Sequence, residues 1–128
     1  MDSQGLLADF KNAVTQLQEA LRLPAANDVI KAGCIQYFEF SFELAWKTIK
    51  RFAEEDGLTD CGSPKSALKT AFSNGWIVNE EIWLDMLSSR NKMSHTYSAA
   101  DALDVFDKLS GFADALQHLA EDLSRKDS

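Results

Sequence analysis

Apolar residues recur at helical spacing from the start of the chain. Leu6, Leu7, Phe10, Ala13, Val14, Leu17, Ala20 and Leu21 mark one buried helix face, and Pro24 lies just past its end. Asn27 or Asp28 can then cap a long second helix that runs to about Gly57, a residue suited to a left-handed stop. That helix carries two apolar stripes: Ile35, Phe38, Phe42, Ala45, Trp46, Ile49 and Phe52, and beside them Tyr37, Phe40 and Leu44. A helix apolar on two faces is central in a bundle or shared with a partner. Ser63-Pro64 opens a short third helix, since Ser accepts from exposed N–H groups and Pro lacks only a donor the first turn leaves unused. It ends at Asn74-Gly75.

Asn79 caps a fourth helix with Glu80 and Glu81 in its first turn and Ile82, Trp83, Met86 and Leu87 on its inner face. Ser98 with Asp101 resembles a capping box that opens a last helix. Its apolar stripe runs through Ala102, Leu103, Phe106, Leu109, Phe112, Ala113, Leu116, Leu119 and Leu123, and the tail from Ser124 to Ser128 is expected to fray. No strand alternation, repeat or low-complexity linker interrupts this order. The pattern predicts an all-α fold, an antiparallel up-and-down bundle of about five helices with a four-helix core. At 128 residues the chain is expected to form a single domain over 1–128 without disulfides or metals.

Composition narrows the partners. A net charge of -7 opposes sequence-independent attraction to a polyphosphate, so any nucleic-acid contact must be local. Lys47, Lys50 and Arg51 share one side of the second helix and, with Lys92, are candidate contacts for RNA or a partner protein. A solvated helix end, paired with Glu43, Glu54 and Glu55, accounts for the same cluster. Cys34 and Cys61 fit no C-x-x-C pattern, and the N-terminus lacks the basic-then-apolar order of a signal peptide. A cytoplasmic setting is expected. No apolar run approaches the ~20 residues of a bilayer span, and no membrane contact is expected.

The candidate chemistry is Arg90-Asn91-Lys92-Met93-Ser94-His95-Thr96-Tyr97, an R-x4-H-x-Y segment closing the fourth helix. Arg is a permanent cation that can hold a phosphate, His exchanges protons near neutral pH, and Tyr offers a hydroxyl open to modification. On an ideal helix Arg90 and Tyr97 nearly eclipse, while positions 90 and 95 lie about 140° apart. Convergence requires either that the helix loosen near Ser94 to Thr96 or that a second subunit bring its own copy. Asn91 shares the face of His95 and can orient the imidazole.

Converged, an Arg/His pair without metal suits cleavage of RNA through its own 2′-hydroxyl. The bland alternative stays open: Arg90 pairs with Asp85 or a neighbouring carboxylate, His95 caps a helix end, and Tyr97 is half-buried. His118, beside Gln117, suits a solvated helix position. His95 and His118, 23 positions apart, argue against a zinc or di-metal site, and no metal or other cofactor is expected. Glu39 and Glu43 could form a carboxylate pair, although Glu43 with Lys47 is the simpler pairing. The Walker-type phosphate loop and the D-x-D pair of a nucleotidyltransferase are both missing from the sequence.

Several segments together resemble one family. They are Phe38-Glu39-Phe40-Ser41-Phe42-Glu43-Leu44-Ala45-Trp46-Lys47, the Ser63-Pro64 start, Ala71-Phe72 with Gly75 and Ile77, and Trp83 to Leu87 leading into Arg90 to Tyr97. The chain is similar, over nearly its whole length, to the nucleotidyltransferase substrate-binding proteins of the HEPN superfamily. The resemblance implies a helical bundle that forms a homodimer and pairs with a cognate minimal nucleotidyltransferase in a two-component toxin-antitoxin module. It implies a metal-independent endoribonuclease toxin acting on RNA rather than DNA, with Arg90 and His95 as the catalytic pair and Asn91 as the accompanying polar residue. Tyr97 then matches the tyrosine that the partner adenylylates, using ATP, to silence the toxin. The substrate-binding branch implies another role, a non-catalytic subunit that holds a substrate for the nucleotidyltransferase.

Overall fold

The computed structural model describes residues 2–95 and 98–126, with the side chains of Ser94 and His95 outside the description. Five helices make up its regular structure: α1 (Ser3–Leu21), α2 (Asp28–Glu55), α3 (Pro64–Ser73), α4 (Glu80–His95) and α5 (Ala99–Lys126). The boundaries follow local chemistry. Asn27 is the α2 cap, its side chain accepting from the Ile30 N–H at 3.0 Å. Ser63 and Ser66 satisfy each other's backbone N–H groups at the start of α3, and Asn79 accepts from Ile82 at the start of α4. Ser98 accepts from the Asp101 N–H and opens α5. Gly57 and Gly75, with φ of 77° and 75°, turn the chain out of α2 and α3 through the left-handed region.

Helix α2 packs against each of the other four, so the first of its two apolar stripes lies at the centre of the bundle. Phe38 and Phe42 are fully buried there, and Phe38 stacks on Phe112 of α5 with ring centroids 5.2 Å apart. Phe10, Val14 and Leu17 of α1 and Leu109, Leu116, Leu119 and Leu123 of α5 complete the same core. The second stripe looks outward: Tyr37 and Leu44 are half-buried and Phe40 is exposed. Leu103 departs from its expected place in the α5 stripe and is exposed. Val105, two positions on and so nearly opposite on the helix, fills the core instead. Helix α5 also continues past the expected fraying point, because Ser124 bonds back to the Ala120 carbonyl and Lys126 pairs with Asp56 at 2.7 Å. Among the described residues, no helix is long and apolar enough to cross a membrane.

Candidate functional site

Helices α2 and α4 meet where Arg90 reaches back across 47 positions of sequence to Glu43. Trp83 and Met86 bury the inner face of α4. Arg90, one helical repeat beyond Trp83, falls on the same side where that face runs out toward solvent. Its Nη2 lies 2.5 Å from Glu43 Oε1, and both side chains are about a third exposed, at 30% and 33%. The other carboxylate oxygen, Oε2, accepts from the Trp46 indole N–H at 3.0 Å. Arg90 Nη1 donates to Asn91 Oδ1 at 3.2 Å. Each oxygen of Glu43 thus has a directional partner, and the guanidinium is fixed from two helices.

These contacts redistribute the pairings expected from sequence. Glu43 lies only 4.0 Å from Lys47 and makes its short contact with Arg90. Asp85, named with any neighbouring carboxylate as an alternative partner of Arg90, accepts from Lys108 at 3.1 Å, an interaction that holds the Lys108 ammonium charged to higher pH than usual. Asn91 accepts from Arg90, the residue beside it, at 3.2 Å, and its expected role in orienting His95 falls on a side chain outside the described residues. Arg51 pairs with Glu54 and Glu55, and Lys92 lies 3.9 Å from Asp104. Lys50 is half-buried beside the 57–62 loop. The basic cluster is therefore largely compensated by its own carboxylates. His118 is exposed, on a shallow groove with Trp76 and Asp114.

Helix α4 remains helical through His95, so the backbone does not loosen between the two motif positions. Positions 90 and 95 keep the separation of about 140° around the α4 axis that a regular helix imposes. The His95 side chain, Thr96 and Tyr97 lie outside the described residues. Sequence reasoning missed Glu43 as the partner of Arg90 and Trp46 as the partner of Glu43. The i, i+3 spacing of Glu43 and Trp46 was the available signal for the second contact.

Glu39, one turn before Glu43, completes an acidic edge to the site. Burial pushes its carboxyl above the ordinary 4.5; the Arg90 charge pulls it down and the Glu43 charge pushes it up again. A folded-state pKa above the unfolded one means that the folded protein binds more protons between the two values. Stability contributed by this group therefore falls as pH rises through that window. Glu39→Gln should accordingly raise the thermal unfolding temperature at about pH 7, with the gain vanishing below 4.5, where both side chains are neutral. Melts at the two pH values check this, and an equal gain at both would exclude the charge as its cause.

Comparison with known proteins places this geometry in a wider setting. Residues 6–125 match the family described as nucleotidyltransferase substrate binding protein like. A Haemophilus influenzae protein named probable ribonuclease HepT is 33% identical over 103 residues, spanning 77% of this chain and 70% of the relative. A crystal structure from Thermus thermophilus superposes with a TM-score of 0.79 at 28% identity, over 91% of this chain and 97% of that one. A Haemophilus influenzae structure, described as revealing the fold of a substrate binding domain of a nucleotidyltransferase, gives a TM-score of 0.70 at 28% identity, over 95% and 96% of the two chains.

Proposed function

We propose, for a chain that belongs to the nucleotidyltransferase substrate binding protein like family, that it is the HEPN subunit of a two-component toxin-antitoxin module and a metal-independent endoribonuclease. The observation that carries this is Arg90, a guanidinium fixed from two helices on the same unbroken helix as His95. Its relationship to a protein named probable ribonuclease supports the same role. In the reaction the 2′-oxygen of RNA bonds to the neighbouring phosphorus, the P–O5′ bond breaks, and a 2′,3′-cyclic phosphate and a 5′-hydroxyl end result. His95 removes the proton from the attacking oxygen or supplies one to the leaving oxygen, and Arg90 stabilises the charge that builds on the non-bridging oxygens.

One imidazole serves poorly as acid and base in the same step. The persistence of α4 through His95 supports a symmetric homodimer, in which two Arg/His pairs share one cleft and divide the two proton transfers. A cognate nucleotidyltransferase silences the toxin: the Tyr97 phenol oxygen attacks the α-phosphorus of ATP, pyrophosphate leaves, and a bulky anionic phosphodiester remains on the segment that carries Arg90 and His95. Expression without that partner should arrest growth and degrade RNA; a harmless chain with intact RNA would exclude the toxin. Incubation with partner and ATP should add one adenylyl mass to Tyr97, read by peptide mass spectrometry, and an unmodified Tyr97 under active conditions would exclude the silencing step.

A second role has its own support, because the matching family and the Haemophilus influenzae structure are both described in terms of substrate binding for a nucleotidyltransferase. As such a subunit the chain would be inert toward RNA, and the partner's activity would depend on its presence.

A further inference from the structure

We infer that Glu43, held in place by Trp46, is the positioning residue of Arg90. This deepens the nuclease role proposed above and rests on it for its effect on rate. A lone arginine at a helix end samples many rotamers, whereas transition-state stabilisation needs the guanidinium already aimed. Here the aim comes from helix α2. Glu43 Oε1 takes Nη2 of Arg90 at 2.5 Å and Oε2 takes the indole N–H at 3.0 Å, so the carboxylate cannot rotate without losing one of its two bonds. The indole is half-buried on the central helix, which anchors the chain of contacts to the core. Asn91 takes the second nitrogen, Nη1, from the α4 side. Glu39 lies on the same edge, where burial pushes its carboxyl up and the Arg90 charge pulls it down. The carboxylate acts through Arg90 and is not itself a group that touches RNA.

Such a role has a signature that mere bracing of the bundle lacks. The Asp85–Lys108 bridge also ties α4 to a neighbouring helix, on its α5 side. Removing a hydrogen bond to a charged group costs about 10- to 100-fold in a rate that depends on it. Trp46→Phe, which deletes the donor and keeps an aromatic ring, should lower kcat for cleavage of a short RNA by about tenfold, with KM within about twofold. Glu43→Gln, a neutral acceptor, should fall between wild type and Glu43→Ala. Asp85→Asn should leave kcat within about twofold while lowering thermal stability.

A kcat unchanged in Trp46→Phe and Glu43→Gln, or raised in either, overturns the assignment; the second outcome would mean that Glu43 competes with the substrate phosphate for Arg90. The Arg90 Nε–H resonance in arginine-labelled protein gives an answer that needs no cleavage. It should move in Trp46→Phe and stay in place in Asp85→Asn, and identical behaviour of the two variants also overturns the assignment. If wild-type protein cleaves no RNA, the nuclease role fails on its own, and the resonance alone decides whether Glu43 and Trp46 orient Arg90.

Discussion

Replacing His95 by alanine should lower RNA cleavage by the purified protein about 100- to 10,000-fold, the range over which a positioned proton-transfer group accelerates a reaction. Arg90→Ala should cost about 100- to 1,000-fold, as loss of a donor to developing anionic charge does. The second variant has an additional consequence, since Glu43 would lose its short contact while keeping its bond from Trp46. Its thermal stability should therefore fall as well, whereas growth arrest on expression without the partner should be abolished in both. Because the two groups serve one step, the double variant should be little worse than the poorer single variant. Initial rates on a short RNA, taken with melting curves of each variant, measure all of this. A His95→Ala protein within tenfold of wild type would remove the imidazole from the mechanism.

Phe38→Ala should be the most damaging of the simple core truncations. The ring is fully buried on the central helix, stacks on Phe112 at 5.2 Å and touches Phe42 at 6.2 Å between centroids. Loss of a buried phenylalanine costs about 3–5 kcal/mol, partly from lost transfer energy and partly from the cavity left behind. Against a total stability of about 5–15 kcal/mol, the protein should remain folded at low temperature and melt about 10–25 °C earlier. Phe72→Ala on α3, where the ring is 42% exposed, should change stability by less than about 1 kcal/mol. Thermal unfolding followed by circular dichroism separates the two. Equal losses would mean that the core is not organised around α2.

Helix starts and stops were legible because the groups that set them are neighbours in sequence. Asn27, Ser63, Asn79 and Ser98 each accept from an N–H three residues on, and Gly57 and Gly75 supply left-handed turns that other residues resist. Periodicity likewise placed Phe38, Phe42 and Met86 in the core. It failed at Leu103, where a leucine at the edge of a stripe was expected inside and Val105 went there instead. The two positions lie on nearly opposite sides of α5, and apolar spacing alone does not say which side the adjoining helices will cover.

The candidate site divides along the same line. The sequence by itself determined an all-helical chain, its caps, and the identity and order of Arg90, Asn91, His95 and Tyr97, since each depends on residue chemistry and short-range spacing. It also supplied the rotation of about 140° between positions 90 and 95, which follows from any regular helix. Tertiary structure decided where charges found their partners. Glu43 had Lys47 one turn away and Arg90 had Asp85 nearby, yet packing of α4 against α2 brought Glu43 and Arg90 to 2.5 Å and left Asp85 to Lys108 on α5. Exposed ion pairs within one helix are weak, so the short contact goes to whichever opposite charge the docking of the core carries into bonding range.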